Sequence, residues 1–428
     1  MKFKATLTFA KTLDKADPLK KYRDKFIIPQ LKEGGAYFCG NSLGLQPAAA
    51  PELFGKELRR WAEDAVEGHF TGAQPWAEYH EVYATLLAEI VGAKTKEVVA
   101  MNSLTVNLHL LMATFYQPVK GRTKILTEKG SFSSDRYALR SQIELRGLNP
   151  DDHLIEVAPR KGEHTLRKED VLKAIKDCGE ELALVMMGGV NYYTGQVFPM
   201  KEITAAAHKA GAVCAFDLAH AVGNVPLELH KWNVDFAVWC SYKYLNAGPG
   251  AVGGAFIHER HVKRTDLFRL AGWWGNRKED RFAMKEEFNP SATVDGWQLS
   301  NAPIFNMIAL KASLDIFEAA GMKKIQNKRQ QMTEWLEFLL KEKCKGKKYS
   351  LRLITPSGEK ERGAQFSFDA GKKAEQLFKE LSKAGFVTDL RKPSVIRITP
   401  APLYNSYEEL FRLAEFIGER CEWLKGKV

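Results

Sequence analysis

Lys243 stands in a setting that suits covalent catalysis. It follows the apolar run 236–240, which is typical of a buried strand, and it precedes the turn-forming stretch 246–250, which holds two glycines and a proline. A lysine at the mouth of a buried strand is partly removed from water, and this favours the uncharged, nucleophilic form of its amine. These are the properties that a Schiff-base lysine requires.

An aspartate upstream gives this lysine a partner. Asp217 ends a second short apolar run, 212–216, and lies 26 residues before Lys243. Pyridoxal 5′-phosphate (PLP) needs a lysine for its aldehyde, an acid that faces its pyridinium nitrogen, and a cradle for its phosphate. Asp217 alone would be read as the N-cap of a helix. With Lys243 one strand later, the pair indicates a PLP site.

The stretch 101–105 is a candidate phosphate cradle. It reads Met-Asn-Ser-Leu-Thr and lies where a predicted strand ends and a helix begins. The first N–H groups of a helix and its dipole favour a phosphate at that point. The hydroxyl of Thr105 adds a donor. The alternative is an ordinary Asn/Ser helix cap.

Three more residues are candidates for the cofactor pocket. Phe132 follows the next predicted strand and is placed to stack on the pyridine ring, although simple core packing is the alternative. Asp135 either caps the following helix or holds a cofactor group. His220 either orders Asp217 or the phenol of the ring, or is an interior histidine with satisfied hydrogen bonds.

A single helical stretch is expected at about 50–92. Short apolar runs then alternate with helical periods between about residues 97 and 257, and one of these periods predicts a helix at 104–115. This alternation predicts an α/β fold with a mostly parallel sheet and crossover helices. Later segments predict short strands and helices of a smaller α+β domain. We therefore expect a segment 1–50 that packs with the small domain, a large PLP-binding domain 51–310, and a small C-terminal domain 311–428.

Composition narrows the class of protein. The 428 residues are 45% hydrophobic, as in a globular protein with a large core. No apolar stretch approaches the ~20 residues needed to cross a bilayer, and no signal peptide is indicated. The six cysteines show no metal-ligand spacing, which predicts no metal site and a reducing, cytoplasmic setting. The net charge of +11 is spread along the chain, so we expect no nucleic-acid partner.

Motifs spread over nearly the whole chain closely resemble the kynureninase family, and they occur in order. They are Tyr37–Gly44, Leu104–Asn107, Phe132–Asp135, Asp217–Asn224, Trp239–Gly248, Gly272–Trp273, Leu299–Asn301 and Pro402–Ser406. The resemblance implies a PLP-dependent hydrolase of fold type I, with a large domain and a smaller C-terminal domain. It also implies a homodimer with shared active sites.

The family's reaction would be the cleavage of L-kynurenine to anthranilate and L-alanine, or of 3-hydroxy-L-kynurenine to 3-hydroxyanthranilate and L-alanine. This reaction belongs to tryptophan catabolism and NAD biosynthesis. The resemblance implies that Lys243 holds the cofactor and, once freed by the substrate, removes the Cα proton. Asp217 would pair with the pyridinium nitrogen, and Tyr242 would protonate Cβ.

Further roles follow from the same resemblance. Leu104, Thr105 and Tyr242 would hold the phosphate, Phe132 would stack on the ring, and Asp135 and His220 would line the cofactor. Trp273 and Asn301 resemble cofactor-binding positions that the family supplies from the partner subunit. Arg397 resembles the arginine that clamps the substrate carboxylate, which suits a bidentate guanidinium. The positions that match the surroundings of the substrate's aromatic ring are Ser42, His69, Asn276 and Asn301.

The sequence departs from its relatives at two places. Gly188-Gly189 stands where some relatives place a hydroxyl residue near the cofactor. Asn276 stands where animal-type members carry histidine, while His69 and Asn301 resemble the type that accepts hydroxykynurenine. The preference between the two substrates is therefore open.

Two other functions compete with this reading. A cysteine desulfurase or selenocysteine lyase of the same fold would need a nucleophilic cysteine on a flexible loop, whereas the cysteines here lie in apolar segments or charged helical stretches. A basic, non-catalytic regulator would need a nucleic-acid recognition module, and the sequence contains no such module.

Overall fold

The structure is a computed structural model that describes residues 2–345 and 352–420. The last residues of the predicted small domain, 421–428, and the short stretch 346–351 lie outside this description. The helices are α1 (Leu7–Ala16), α2 (Ala50–Asp64), α3 (Glu81–Val91), α4 (Leu104–Phe115), α5 (Ser133–Glu144), α6 (Pro150–His153), α7 (Lys168–Cys178), α8 (Met200–Lys209), α9 (Glu259–Val262), α10 (Ile304–Ala320), α11 (Met322–Lys343), α12 (Ala374–Lys383) and α13 (Tyr407–Arg420).

The strands form one large and one small sheet, with an additional pair. They are β1 (Ala36–Tyr37), β2 (Val98–Ala100), β3 (Lys124–Glu128), β4 (Leu154–Val157), β5 (Leu182–Gly188), β6 (Val213–Asp217), β7 (Phe236–Cys240), β8 (Gly253–Ile257), β9 (Arg352–Leu353), β10 (Phe366–Asp369), β11 (Phe386–Val387), β12 (Asp389–Arg391) and β13 (Val395–Ile398).

The large sheet confirms the predicted α/β architecture. Its seven strands lie in the order β2-β8-β7-β6-β5-β3-β4. Only β8 runs against its neighbours, and the other pairs within the sheet are parallel. Helices cover both faces, so every residue of β7 and β8 is buried. This explains why these strands read as continuous apolar runs rather than alternating ones.

The carboxyl ends of the parallel strands gather polar residues at one edge. Glu128 ends β3, Gly188 ends β5 and Asp217 ends β6, while Lys243 follows β7 after two residues. In an open parallel sheet the crevice outside these ends is the usual place for a ligand. The separate sequence segments that carry chemistry therefore meet at this edge.

The small sheet has the order β12-β13-β10-β9 and is antiparallel. Phe366, Phe368, Ile396 and Ile398 on its inner face pack in a second core with Trp335 and other residues of α11 and α13. In β12 and β13, Asp389 lies directly opposite Arg397. This register places a charged pair at the side of the small sheet.

The N-terminal segment contacts the small sheet and its helices. Ala10 and Leu13 of α1 lie in the same core as α13, and β1 pairs in parallel with β11. Asp14 accepts hydrogen bonds from the backbone N–H groups of Tyr407 and Glu408 at the start of α13. The predicted boundary at residue 310 falls within α10, whose buried residues belong to the core of the large sheet. Among the helices in residues 2–345 and 352–420, none is long and apolar enough to cross a membrane.

Candidate active site

A cavity opens at the carboxyl edge of the large sheet, which is the usual place for a ligand in a sheet of this kind. It is lined by Leu104, Thr105, Glu128, Phe132, Ser134, Asp135, Gly188, Val190, Tyr192, Asp217, Ala219, His220, Tyr242 and Lys243. All of the cofactor-binding residues that sequence analysis assigned to one chain are in this lining.

The N-terminal segment holds the loop that carries Lys243. The backbone N–H of Gly44 donates to the carbonyl of Tyr242 at 2.8 Å. A Cβ at position 44 would lie 2.4 Å from the carbonyl oxygen of Lys243, so only glycine permits this approach. The sequence motif around residue 44 is therefore explained by its packing on the lysine loop.

The amine of Lys243 contacts His220. Lys243 Nζ lies 3.0 Å from His220 Nε2. Burial, and then the charge of Lys243, place the pKa of His220 well below its ordinary value, so the ring is neutral and Nε2 accepts from the amine. Sequence analysis expected His220 to order Asp217 or the ring phenol. The structure instead shows it against Lys243, and its other nitrogen, Nδ1, is buried without a partner in the described part of the chain.

Asp217 and Asp135 form a buried pair of carboxyl groups. Asp217 accepts a hydrogen bond from the backbone N–H of Ala219 at 2.7 Å. Burial raises the pKa of both acids, and Asp217 raises that of Asp135 further through its charge and a shared hydrogen bond. Two adjacent carboxyl groups do not ionise together easily, so a cationic group such as a pyridinium is a suitable partner for the pair.

The N-terminus of α4 offers the phosphate end of the cavity. Ser103 precedes α4, and its side chain makes no capping hydrogen bond. Thr105 Oγ1 lies 2.9 Å from Ser134 Oγ, which brings two hydroxyl groups to the same end. Uncapped N–H groups with adjacent hydroxyls bind an anion well. Sequence analysis missed Ser134, although it lies within the quoted motif Phe132–Asp135.

Two aromatic rings flank the lysine. Lys243 Nζ lies 5.9 Å from the ring centroid of Phe132 and 5.9 Å from that of Tyr242. Phe132 is 44% exposed, so it does not belong to the core, which was the alternative reading. Burial raises the pKa of Tyr242, and its hydroxyl therefore keeps its proton at neutral pH.

The cavity fits PLP by its unpaired polar atoms. His220 Nδ1 and Asp135 Oδ1 are buried there without hydrogen-bond partners among the described residues. Such atoms are costly unless a ligand or water pairs with them. The amine, the acid pair, the exposed aromatic face and the anion cradle match the aldehyde, pyridinium, ring and phosphate of PLP.

Arg397 lies in the small sheet, on the side of the cavity where Tyr192 stands. It donates to the carbonyl of Tyr192 at 2.7 Å and to Ser42 Oγ at 3.2 Å, and it forms an ion pair with Asp389. Burial lowers the pKa of Arg397. The charge of Asp389 raises it in part, but the net effect is a lowered pKa. Arg397 is only 1% exposed, so a substrate carboxylate would reach it by exchanging with one of these partners.

Asp389 is a residue of this region that sequence analysis missed. It accepts from Ser42 Oγ at 2.7 Å and pairs with Arg391 as well as Arg397. Its pKa is lowered although burial opposes this, because the two arginines and Ser42 stabilise the carboxylate. The alternating pattern of two adjacent short strands was the available signal, but it does not fix the register that sets Asp389 opposite Arg397.

The predicted residues around the aromatic ring of the substrate do not line the cavity. Ser42 lies with Arg397, but His69, Asn276 and Asn301 are absent from the lining. Trp273, which was predicted as a cofactor-binding position of the partner subunit, is absent from it as well. His69 packs edge-on against Trp76, with ring centroids 5.4 Å apart. The side-chain oxygen of Asn276 accepts from the backbone N–H of Asn289 at 2.9 Å, so its amide holds the loop that follows.

Known proteins match this chain over almost its whole length. Residues 325–417 match the model of the family described as "Kynureninase C-terminal domain". A kynureninase of Flavobacterium psychrophilum is 50% identical over 97% of this chain and 98% of its own length. The chain belongs to the kynureninase family. A kynureninase of Myxococcus xanthus is 49% identical over 96% of this chain and 97% of its own, and one of Nematostella vectensis is 47% identical over 96% and 93%.

Solved structures support the fold of this kynureninase-family chain. A cysteine desulfurase from Thermococcus onnurineus covers 96% of the chain and 98% of its own length with a TM-score of 0.72 at 17% identity. The cystine C-S lyase C-DES, in complex with cysteine persulfide, gives 0.72 at 17% identity over 90% and 97%. A C-DES variant with glycine covalently linked to its PLP cofactor gives 0.70 at 17% identity over 89% and 96%. The likeness confirms the predicted PLP fold type I.

Proposed function

We propose that this chain is a PLP-dependent hydrolase that cleaves L-kynurenine to anthranilate and L-alanine, 3-hydroxy-L-kynurenine to 3-hydroxyanthranilate and L-alanine, or both. The observation that carries the proposal is the meeting of Lys243, Asp217 and the anion cradle in one cavity of a chain that is about half identical to curated kynureninases. When bound, PLP supplies an aldehyde for the substrate amine and a pyridinium ring that accepts the electrons released at Cα.

Lys243 is the base in this proposal. Its free amine would remove the proton at Cα. Neutral His220, 3.0 Å away, accepts a hydrogen bond from the amine and so orients it. Asp217 would hold the ring nitrogen of PLP and keep it protonated. Asp135 lies beside Asp217 and forms a side-chain hydrogen bond with it.

Tyr242 is the acid. Hydrolysis at the γ-carbonyl of the substrate breaks the Cβ–Cγ bond and leaves a Cβ carbon that needs a proton. Tyr242 lines the cavity next to Lys243, and its raised pKa keeps the proton available. The proton that Tyr242 gives to Cβ would be replaced from water that enters the cavity.

Replacement of Tyr242 by phenylalanine tests this role. We expect kcat to fall by about 10²-fold while PLP stays bound, because only the proton donor is lost. Steady-state kinetics and the visible spectrum of the holoenzyme measure the two effects. Tyr137→Phe, at an exposed tyrosine of α5, is the matched control and should keep wild-type kinetics. A higher KM at unchanged kcat would exclude Tyr242 as the acid.

We also propose a homodimer that completes each active site with Trp273 and Asn301 of the second copy. An exposed aromatic patch consisting of Phe70, Trp273 and Phe282 supports this. The ring of Phe282 lies 5.7 Å from that of Phe70 and 5.5 Å from that of Trp273. All three side chains are about half exposed, as expected of a surface that another chain covers.

Phe282→Asp should separate the copies, because a charge in the centre of an apolar interface is costly. We expect sedimentation to show a dissociation constant raised by at least about 100-fold, with a parallel loss of turnover at low protein concentration. Leu145→Asp, at an exposed apolar residue directly after α5, is the control and should stay a dimer. A wild-type protein that sediments as a fully active monomer would contradict the proposal.

Parallel kinetics with kynurenine and 3-hydroxykynurenine test the proposed reaction and its substrate range. We expect release of the corresponding anthranilate from at least one of them. His69, Asn276 and Asn301 are the proposed determinants of the preference. Failure to release an anthranilate from either substrate would reject the proposal.

Two further proposals concern organisation and location. We propose the division into a segment 1–50, a large domain 51–310 and a small domain 311–428, supported by the separate core of the small sheet; within the small domain, residues 311–320 of α10 pack in the core of the large sheet. We propose a cytoplasmic location, supported by the free thiols of Cys39, Cys178, Cys214 and Cys240.

A further inference from the structure

Glu128 is a buried acid of the cavity that has no part in the mechanism described above. It ends β3, is 3% exposed and lies in the cavity lining with Asp135 and Asp217. A glutamate is rarely buried to this degree unless it is paired or neutral. Its position beside the acid pair therefore calls for a role.

Gly188 has no side chain and so leaves space for the carboxyl group of Glu128. β5 lies between β3 and β6, and Gly188 at its end pairs with Asp217. A Cβ at position 188 would lie 3.1 Å from Glu128 Oε1, so the carboxyl group leans over the glycine. The other oxygen, Oε2, is buried without a hydrogen-bond partner in residues 2–345 and 352–420.

The charged groups that face Glu128 come from several elements. Asp217 lies at the end of β6, Asp135 lies on α5, and Lys243 follows β7. Neutral His220 adds no charge. Burial, and then the charge of Asp217, raise the pKa of Glu128 to about 8, against a hydrogen bond from Asn191. If Glu128 were ionised, it would add a negative charge to a pocket that already contains the Asp135–Asp217 pair. The positive charges available there are Lys243 and, when PLP is bound, its pyridinium.

Asn191 connects Glu128 to the small sheet. Its side-chain oxygen accepts from the backbone N–H groups of Tyr193 at 3.0 Å and Thr194 at 2.9 Å. These bonds fix the turn that carries Tyr192, whose carbonyl accepts from Arg397 at 2.7 Å. When the Glu128 carboxyl group accepts a hydrogen bond from the amide nitrogen of Asn191, the amide oxygen of Asn191 faces the backbone N–H groups of the turn.

We propose that Glu128 is a positioning residue: a proton-bearing carboxylic acid that leans over Gly188 beside the Asp135–Asp217 pair and orients the Asn191 turn on which Arg397 is anchored. The proton of Glu128 limits the negative charge next to the Asp135–Asp217 pair. Its bond to Asn191 links the cofactor pocket to the side that receives the substrate carboxylate. The proposal rests on the roles proposed above for Asp217 and Arg397.

Infrared difference spectroscopy of the holoenzyme tests the protonation without turnover. At pH 7, wild type minus Glu128→Gln should show the C=O stretch of a buried carboxylic acid, and the band should disappear as the pH rises past about 8. Glu144→Gln, at the exposed end of α5, should leave the band in place. If Glu128→Gln removes no such band at pH 7, Glu128 is ionised and the proposal is wrong.

The pH dependence of unfolding gives the same information independently. Because the folded-state pKa of Glu128 is above its ordinary value, the folded protein binds the extra proton between pH 4.5 and about 8. Unfolding free energy should therefore fall with rising pH in this window. In Glu128→Gln this contribution should be missing, so the variant gains stability relative to wild type from pH 6 to 8. If the difference in unfolding free energy between Glu128→Gln and wild type stays constant from pH 6 to 8, the proposal is wrong.

Kinetics separate positioning from simple structural support. Glutamine offers Asn191 the same oxygen without charge, so Glu128→Gln should keep kcat and KM within about threefold of wild type. Glu128→Ala should raise KM by about tenfold, with a smaller change in kcat, because the Arg397 anchor is loosened. A Glu128→Gln variant as impaired as Glu128→Ala, or a Glu128→Ala variant with wild-type KM, would contradict the positioning role.

Discussion

Replacement of Lys243 by arginine should abolish turnover of kynurenine, with a loss of at least about 10⁴-fold in kcat. A guanidinium remains protonated and does not form a Schiff base with an aldehyde, so the variant loses both the covalent link to PLP and the base for Cα. The holoenzyme should lose its visible absorbance. Borohydride reduction should leave no cofactor mass on the peptide that contains residue 243.

The control for this variant is Lys129→Arg, at an exposed lysine just after β3. It should retain wild-type activity and its covalent cofactor. Residual turnover of Lys243→Arg within tenfold of wild type would mean that another group in the cavity supplies the base. The neutral ring of His220, 3.0 Å from the amine, would then be the first candidate.

Arg397→Lys should raise the KM for kynurenine by about 100-fold with a smaller effect on kcat. The guanidinium fork binds a carboxylate through two parallel hydrogen bonds, whereas an ammonium group binds through one point. In the structure Arg397 also contacts Tyr192, Ser42 and Asp389, and a lysine would lose some of these contacts. Steady-state kinetics with a thermal unfolding curve distinguish weaker binding from lost stability.

Arg412→Lys, at an exposed arginine of α13 that pairs with Glu408, is the matched control. It should match wild type in both measurements. If Arg397→Lys lowers kcat while KM stays constant, the arginine does not bind the substrate ground state. Asp389 would then remain its main partner throughout the reaction.

Much of the fold follows from the sequence because the parallel strands are fully buried. The runs that end at Asp217 and Cys240 are short, apolar and flanked by helical periods, so their burial and direction are predictable. The helix predicted at 104–115 has the observed bounds. The single helical stretch expected at 50–92 is instead two helices, α2 and α3, since Gly68 and Pro75 fall in the interval between them.

The site was predictable where a residue directly follows a strand or begins a helix. Lys243, Asp217, Thr105 and Phe132 all satisfy this condition, and the cavity contains them. Glu128 also ends a strand, but a glutamate at a strand end is typical of an exposed position. Its burial depends on Gly188, which lies next to it in the folded sheet. Neighbouring strands in the sheet are distant in sequence, so this contact leaves no local signal.

Other features depend on register or, in the proposed homodimer, on a second chain. Asp389 faces Arg397 only through the pairing of β12 with β13, and a shift of one residue would separate them. His69, Trp273, Asn276 and Asn301 stand apart from the cavity of one chain. Spacing along a single chain contains no information about a site that two copies build.

The central claim is that the cavity hydrolyses the bond between Cβ and the γ-carbonyl of an aryl amino acid. The most direct test is product analysis after L-kynurenine is added to the purified, PLP-loaded protein, with L-cysteine as a parallel substrate. We predict equimolar anthranilate, detected by its fluorescence, and alanine from kynurenine, and no sulfur release from cysteine. Alanine and sulfur from cysteine without anthranilate from kynurenine would contradict the account and assign the chain the chemistry of its cysteine desulfurase structural neighbours.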